Sequence, residues 1–284
     1  MIVVTGATGQ LGRHVIAALL ERIPASGIVA AVRDPNKAAD LAALGVQVRQ
    51  ADYDQPAGWD AALQGADKVL LISSNAIGQR ARQHQAVIDA ARRTGVSLLA
   101  YTSVLHADSS VLGLADEHRA TEAALRASGV PHVLLRNGWY SENYAQGIPA
   151  ALGLGAVYGC AGEGRISGAA RADYAEAAAV ALTADGQAGK VYELAGDSSF
   201  SLGEFAAELS HQAGRTIPYV DLPEADYRDA LLGAGLPGFL AELLADSDTG
   251  ASKGALFDAG RQLSQLIGRP TTPLAEVVKA ALPA

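Results

Sequence analysis

The feature that most constrains this chain is its opening, Met1-Ile-Val-Val-Thr-Gly6-Ala-Thr-Gly9-Gln-Leu-Gly12. Ile2, Val3 and Val4 form an apolar, β-branched run without alternation, the pattern of a parallel strand covered on both faces. Glycines at every third position follow, then an amphipathic helix with Leu11, Val15, Ala18 and Leu19 on one face. In a strand–turn–helix unit of this kind the first glycine permits the tight turn, the second lets backbone approach a pyrophosphate, and the third lets the helix pack closely on the sheet. The N–H groups that open the helix face the anion. A glycine triplet alone means little; its place between a strand and a helix makes it a phosphate cradle rather than an ordinary β-turn-α junction.

The remainder of the first half alternates between strand and helix. Apolar strand-like runs are expected at residues 28–32, 46–49, 68–72, 96–101 and 131–136, with helices at 37–44, 56–63, 81–94 and 114–127. This alternation specifies an α/β fold with a doubly wound, parallel Rossmann-type sheet. After Asn143 the texture changes to a helix at 144–152 and a glycine-rich stretch at 153–168 with short β-like pieces. An alanine-rich helix at 169–184 and a strand at 190–194 are expected to return to the sheet. Helices at 202–213, 224–232, 236–245 and 274–282 then surround a strand at 217–220, and Asp246-Ser-Asp-Thr-Gly-Ala-Ser-Lys-Gly254 reads as a flexible surface loop. The expected organisation is a nucleotide-binding domain of residues 1–152 and 169–196, with a small C-terminal α+β substrate-binding lobe of residues 153–168 and 197–284.

Composition excludes several function classes. Of the 284 residues, 49% are hydrophobic and 18% charged, a soluble globular balance. A net charge of −8 with no Lys/Arg cluster argues against nucleic acid as a partner. The lone Cys160 forms no internal disulfide, so a reducing cytoplasm is the expected setting, with an inter-chain bridge as the alternative. No apolar run reaches the ~18 residues of a spanning helix, and no signal peptide is read, so no membrane association is expected. The six histidines show no helical pair at metal-ligand spacing, so no metal is expected. Apolar helical faces serve core and subunit contacts alike, and the sequence assigns no oligomeric state.

The end of the second strand chooses between nicotinamide cofactors. An acidic residue there accepts from the ribose 2′-hydroxyl of NAD, whereas an arginine suits the 2′-phosphate of NADP. The residue leaving this strand is Arg33, while Asp34 precedes Pro35 and is expected to cap the next helix. NADP(H) is therefore the favoured cofactor. Asp52, after the third strand, sits either near the adenine or as a cap, and capping is preferred. Ser73, Ser74 and Asn75 leave the fourth strand where ligands of such sheets bind, near the topological switch point.

Taken together, Thr5-Gly-Ala-Thr-Gly-Gln-Leu-Gly12, Val32-Arg33, Leu71-Ile-Ser-Ser74, Ala100-Tyr-Thr-Ser103, Gly113-Leu-Ala-Asp-Glu-His118, Leu135-Arg-Asn-Gly-Trp-Tyr-Ser-Glu-Asn-Tyr144, Arg171-Ala-Asp-Tyr174, Lys190-Val-Tyr-Glu-Leu-Ala-Gly196 and Ala245-Asp-Ser-Asp248 resemble the atypical short-chain dehydrogenase/reductases with NmrA-like members. The resemblance spans nearly the whole chain and is strongest to the bacterial NAD(P)H:quinone oxidoreductases of type 2. It implies NADPH held by Gly6, Ala7, Thr8, Gly9, Gln10 and Leu11, by Arg33 at the 2′-phosphate, and by Ser73, Ser74 and Asn75. It further places Asn137, Gly138, Trp139, Tyr140, Ser141 and Glu142 beside the nicotinamide, and gives Arg165 a basic position that also touches the cofactor.

One departure from the conventional short-chain pattern bears on mechanism. Those enzymes use a Tyr-x-x-x-Lys pair to protonate a carbonyl, and the matching helix here carries Leu114 and His118. A ketone needs a positioned proton donor as hydride arrives, so alcohol and sugar dehydrogenation are disfavoured. A quinone accepts hydride readily, and positioning against the nicotinamide suffices. The expected activity is direct, flavin-free hydride transfer from NADPH to a small-molecule quinone. His118 is a candidate proton donor or ribose anchor, or a helix-surface histidine paired with Glu122; Trp139 and Tyr140 line the quinone or the core. The competing reading is an NmrA-like regulator that senses NADP(H) without turnover. Reduction of an azo or nitro compound shares the hydride step.

Overall fold

The computed structural model describes residues 1–283 and divides into two compact units. Nine strands are described: β1 (Ile2–Thr5), β2 (Ile28–Val32), β3 (Gln47–Gln50), β4 (Lys68–Leu71), β5 (Leu98–Val104), β6 (His132–Asn137), β7 (Val157–Gly159), β8 (Val191–Leu194) and β9 (Tyr219–Asp221). The first unit, Met1–Ala107 with Asp116–Asn137 and Arg171–Glu193, is built on a sheet of order β3-β2-β1-β4-β5-β6-β8. The pairs from β3 through to β6 are all parallel. Residues of β1, β2 and β5 are buried without exception, as strands covered on both faces require. The expected doubly wound α/β fold is therefore present. β5 runs three residues beyond the expected end, because Thr102 and Ser103 stay in register with Leu135 and Arg136 and the ladder closes only at Val104 opposite Asn137.

Close packing around β1 depends on side-chain size. A Cβ at Gly12 would lie 2.4 Å from the Gly6 carbonyl oxygen and 2.7 Å from Ala7 Cα, so helix Gln10–Leu20 sits against the glycine turn at a distance only glycine allows. The same helix packs on helix Arg171–Thr183, where Ala175, Ala177, Ala178, Ala179 and Ala181 are all buried. Small side chains all round are what allow that helix to be enclosed.

The second unit comprises Asp108–Ala115, Gly138–Ala170 and Leu194–Ala284. Its two-stranded parallel sheet pairs β7 with β9. Residues 138–152, expected with the nucleotide-binding domain, group here instead: Gly138 N–H donates to the Leu194 carbonyl at 2.7 Å and Ser141 N–H to that of Ala169 at 3.0 Å. The helix expected at 144–152 is two helices, Ser141–Ala145 and Ile148–Leu154, the second starting at a proline in its first turn. The Asp246 segment is not a surface loop. Residues 246–252 complete helix Gly238–Ser252, with Ser247, Asp248 and Gly250 buried, and only Lys253 and Gly254 form an exposed turn. Its polar composition is absorbed internally: Ser247 Oγ donates to the Leu243 carbonyl at 2.6 Å, and a Cβ at Gly250 would meet Leu112 Cδ2 at 2.3 Å. Helix Gln262–Ile267 was not foreseen by the sequence pattern. Among the described residues no helix is long and apolar enough to cross a membrane.

Helix Ala115–Ser128 is held to the first unit's sheet by a buried ion network. Arg136 on β6 donates through Nε and Nη2 to Glu122 at 2.9 and 2.8 Å, and through Nη1 to Glu193 on β8 at 2.7 Å. Ser103 on β5 adds a 2.7 Å bond to Glu122. Burial pushes the Glu122 carboxyl up, but the bonds from Arg136, Ser103 and Arg126 outweigh it and hold the group below its ordinary value. Removing one member of such a pair strands a buried charge and costs about 3 to 5 kcal/mol. Arg136→Met is therefore expected to lower the free energy of unfolding by that amount in urea titrations at neutral pH. A depressed carboxylate stabilises above its unfolded pKa and loses its contribution as pH falls through the folded value. The gap between wild type and variant should therefore narrow at pH values below the usual glutamate range.

Candidate functional site

At the carboxyl ends of β1 and β4 in the first unit, where strand order reverses, lies a cleft of about 620 Å³. Gly6, Thr8, Gly9, Gln10, Leu11 and Gly12 form its floor; Arg33, Asp34 and Lys37 lie beyond β2, and Ser73, Ser74 and Asn75 beyond β4. Ala7 belongs to the same turn but is fully buried beneath it. Gly6 has φ +58°, a left-handed conformation, and its carbonyl accepts the Gly9 N–H at 2.9 Å. No acidic side chain occupies the first turn of the helix that follows, so the positive end of its dipole is left for an anion.

The rim combines charges of both signs. Arg33 is exposed. Asp34 accepts the Asn36 N–H at 3.0 Å and caps the short helix Pro35–Ala38, as its place before Pro35 suggested. Asp52 accepts the Asp54 N–H at 3.0 Å, capping a turn at the cleft edge rather than a helix. Asp54 is bonded to Gln83 and Arg82, and these two, in that order, hold its carboxyl below the usual range.

The cleft wall after β4 is fixed by side chains. Ile72 N–H donates to Thr5 Oγ1 at 2.9 Å, Thr5 and Tyr53 share a 2.6 Å hydroxyl bond, and Tyr53 Oη donates to the Ile72 carbonyl at 2.6 Å, closing a ring. Ser73 N–H donates to Thr102 Oγ1 at 2.8 Å and Ser74 N–H to His84 Nε2 at 3.0 Å. Because Nε2 accepts, the proton of His84 sits on Nδ1, which faces Thr121 Oγ1 at 2.9 Å; that hydroxyl donates to the Glu117 carbonyl at 2.8 Å. Burial, reinforced by the Arg80 cation, depresses His84 to about 3 and keeps the imidazole neutral. Arg80 Nε donates to the Ser74 carbonyl at 2.6 Å.

The structure separates the remaining sequence candidates. His118 is buried rather than on the helix surface. Its Nδ1 lies 2.8 Å from Tyr101 Oη, and burial with the Arg80 and His84 neighbours lowers it to about 3. Glu122, its expected surface partner, turns to Arg136 and Ser103 instead. Asn137 ends β6, and Gly138, Trp139, Tyr140, Ser141 and Glu142 continue into the second unit; none of the six lines this cleft. Arg165, also in the second unit, pairs with Glu204 at 2.6 Å and with Ser199. Lys37, Tyr53, Gln83 and His84 were missed. Lys37 stands four residues beyond Arg33 on the same turn and was open to inference, whereas His84 looks like any polar residue of helix Arg80–Thr94.

Comparison with known proteins gives this geometry its context. The model of an NAD(P)H-binding family matches residues 6–185. Quinone oxidoreductase 2 of Escherichia coli is 59% identical over 278 residues, covering 98% of this chain and 97% of that protein. An NAD(P)H azoreductase of Xenophilus azovorans is 30% identical, covering 99% and 97%. The crystal structure of an Escherichia coli NADPH-dependent quinone oxidoreductase complexed with NADPH superposes with a TM-score of 0.97 at 58% identity, covering 99% of each chain. That of Citrobacter sp. triphenylmethane reductase complexed with NADP(H) gives 0.95 at 38% identity, covering 99% and 100%. The chain belongs to the NAD(P)H-binding family of atypical, NmrA-like short-chain reductases, alongside Escherichia coli quinone oxidoreductase 2.

Proposed function

We propose that this chain is an NADPH-dependent quinone reductase that passes hydride directly from the nicotinamide to a quinone, without flavin. The observation that carries the reading is the full-length likeness to quinone oxidoreductase 2, joined to a cleft in this chain that fits the cofactor. Gly12 lets helix Gln10–Leu20 rest on the glycine turn, so that its N-terminus reaches the pyrophosphate position, and Arg33 and Lys37 supply the cations a 2′-phosphate needs. NADPH, when bound, supplies the hydride.

The chain's own residues do the rest. The turn from Gly6 to Leu11 offers backbone N–H groups to the pyrophosphate. Ser73, Ser74 and Asn75 present a wall whose path is set by Thr5, Thr102 and His84. Asn137, Gly138, Trp139, Tyr140, Ser141 and Glu142 are assigned to the nicotinamide side. Arg165, committed to Glu204 and Ser199, has no part in this reading. His118 is neutral and bonded to Tyr101; it is assigned to orienting helix Ala115–Ser128 rather than to delivering a proton. With no tyrosine acid at position 114, a quinone suits the site better than a ketone does. The cytoplasm, where Cys160 stays reduced, is the compartment that goes with this activity.

Four measurements test the reading. Purified protein should consume NADPH, followed by its absorbance, only when a quinone is supplied; no quinone-dependent loss across a series of simple benzoquinones and naphthoquinones overturns it. Arg33→Asp should lower kcat/KM for NADPH by roughly 10- to 100-fold, the worth of a charge-assisted contact of about 1.5 to 3 kcal/mol, while leaving NADH nearly unaffected. A surviving NADPH preference would remove Arg33 from the 2′-phosphate. His84→Leu should weaken NADPH binding roughly tenfold by freeing the Ser74 N–H, and His84→Gln should recover part of the loss by returning an acceptor. Because burial keeps His84 neutral down to about 3, NADPH affinity should show no histidine titration from about pH 5 to pH 8.

A further inference from the structure

The Asp246 segment, helical rather than a loop, brings an acid into the interior of the second unit. Asp248 is 5% exposed, and its Oδ2 accepts the Cys160 N–H at 3.1 Å. Gly159 makes room for it, since a Cβ there would lie 2.7 Å from Asp248 Oδ2. Tyr144 is a second anomaly. Its ring stands edge-on to Phe200 at 5.8 Å and tilted on Phe205 at 6.1 Å, yet its hydroxyl is shielded from solvent and finds no hydrogen-bond partner. A buried hydroxyl without a partner costs about 1 to 3 kcal/mol and calls for a reason to be kept, one of which is a partner supplied from outside the chain. Among charged groups Asp248 acts most strongly on that hydroxyl, ahead of Tyr227, Tyr219 and Cys160.

We propose that the Tyr144 hydroxyl and the Asp248 carboxyl together receive the carbonyl oxygen of the quinone, whose flat ring lies along the Tyr144–Phe200–Phe205 aromatic cluster. This assignment rests on the quinone-reductase reading above. Its chemistry is one of matched valence. A carbonyl oxygen has two lone pairs and no proton, and the site offers two O–H donors once the carboxyl is protonated. One carboxyl oxygen is already held by the Cys160 N–H, which fixes the group's orientation. Desolvation raises the carboxyl to about 6, the Cys160 N–H opposes the shift, and the charge of Asp221 adds to it. The protonated form is therefore accessible near neutral pH, and a carbonyl that accepts from it favours that form further.

The other groups around Asp248 are accounted for. Tyr219 and Asp221 come from β9, and Tyr219 Oη donates to Asp221 at 2.6 Å. Tyr227 comes from helix Glu224–Gly233, whose Glu224 acts on Cys160. Burial moves Tyr144, Tyr219, Tyr227 and Cys160 upward, away from the neutral range. Asp248 is thus the group whose titration would be read near pH 6.

The test measures binding rather than turnover. The full chain saturated with NADP⁺ is dialysed against 2,3-dimethyl-1,4-naphthoquinone, which carries no position for thiol addition, from about pH 5 to pH 8. Wild-type affinity should fall as pH rises through about 6, where Asp248 loses its proton. Tyr144→Phe should weaken binding roughly three- to tenfold at every pH, with NADP⁺ affinity unchanged. Asp248→Asn, whose amide can accept from Cys160 and still donate, should keep the low-pH affinity and lose the pH dependence. If Tyr144→Phe binds the quinone as wild type does while its thermal midpoint rises, the hydroxyl is only a structural liability and the site is overturned. An unchanged pH dependence in Asp248→Asn overturns it as well. If the wild type binds and reduces no quinone, the quinone reading itself falls; if it does both while the two variants behave as wild type, only this site falls.

Discussion

The anion-facing side of the first unit's cleft follows from how closely one helix approaches one strand. A methyl group at position 12 would sit 2.4 Å from the Gly6 carbonyl, well inside van der Waals contact. The backbone of helix Gln10–Leu20 therefore rests directly on the turn that ends β1. That contact directs the helix N-terminus into the cleft and sets the height at which the helix meets Arg171–Thr183. The alanines of that partner helix are the same constraint seen from the other side. Larger side chains would lift both helices from the sheet and carry the anion-binding end out of register with β4.

The opposite wall is positioned by a different device. Past the last residue of β4, three consecutive N–H groups find side-chain acceptors, on Thr5, Thr102 and His84. Two of those side chains come from flanking strands and the third from helix Arg80–Thr94. The wall is thus tied to three elements at once. A histidine suits the third place, since it can accept at one nitrogen and donate at the other. In doing so it links Ser74 through Thr121 to helix Ala115–Ser128. Its neutrality is a condition of the arrangement: a proton on Nε2 would set two donors face to face.

The sequence made the first wall legible and left the second largely hidden. Glycines at every third position, β-branched strands and an arginine before Asp34-Pro35 are local signals, and local signals survive folding. Asp34 caps as its neighbours required. The failures share a cause, which is that the deciding partner lies far away in the chain. His118 and Glu122 stand four apart and resemble a surface pair, yet Glu122 is claimed by Arg136 and His118 by Tyr101. Residues 246–254 have the composition of a loop. Those up to residue 252 fold as a helix because Cys160 and Leu112, each more than eighty positions away, supply the hydrogen bond and the packing surface. Residues 138–152 leave the first unit because their backbone pairs with Ala169 and Leu194.

A net charge of −8 opposes, taken over the whole chain, a cofactor that is itself a polyanion. The conflict disappears on the length scale that matters. Exposed charges more than about 8 Å apart are largely screened at physiological ionic strength, so the anion responds to the cleft and not to the whole surface. Within the cleft, cations and backbone dipoles oppose the carboxylates one by one. Asp34 and Asp52 are turned onto backbone N–H groups, and Asp54 onto Gln83 and Arg82. What remains to face the anion is the glycine turn, a helix N-terminus with no acid in its first turn, Arg33 and Lys37. In the function proposed above, selectivity for a doubly charged 2′-phosphate rests on these two cations, while retention of the pyrophosphate rests on backbone N–H groups that no side-chain substitution neutralises. On that reading a change at Arg33 alters which nucleotide is preferred, whereas a side chain at Gly12 acts on any nucleotide, by lifting the helix off the glycine turn.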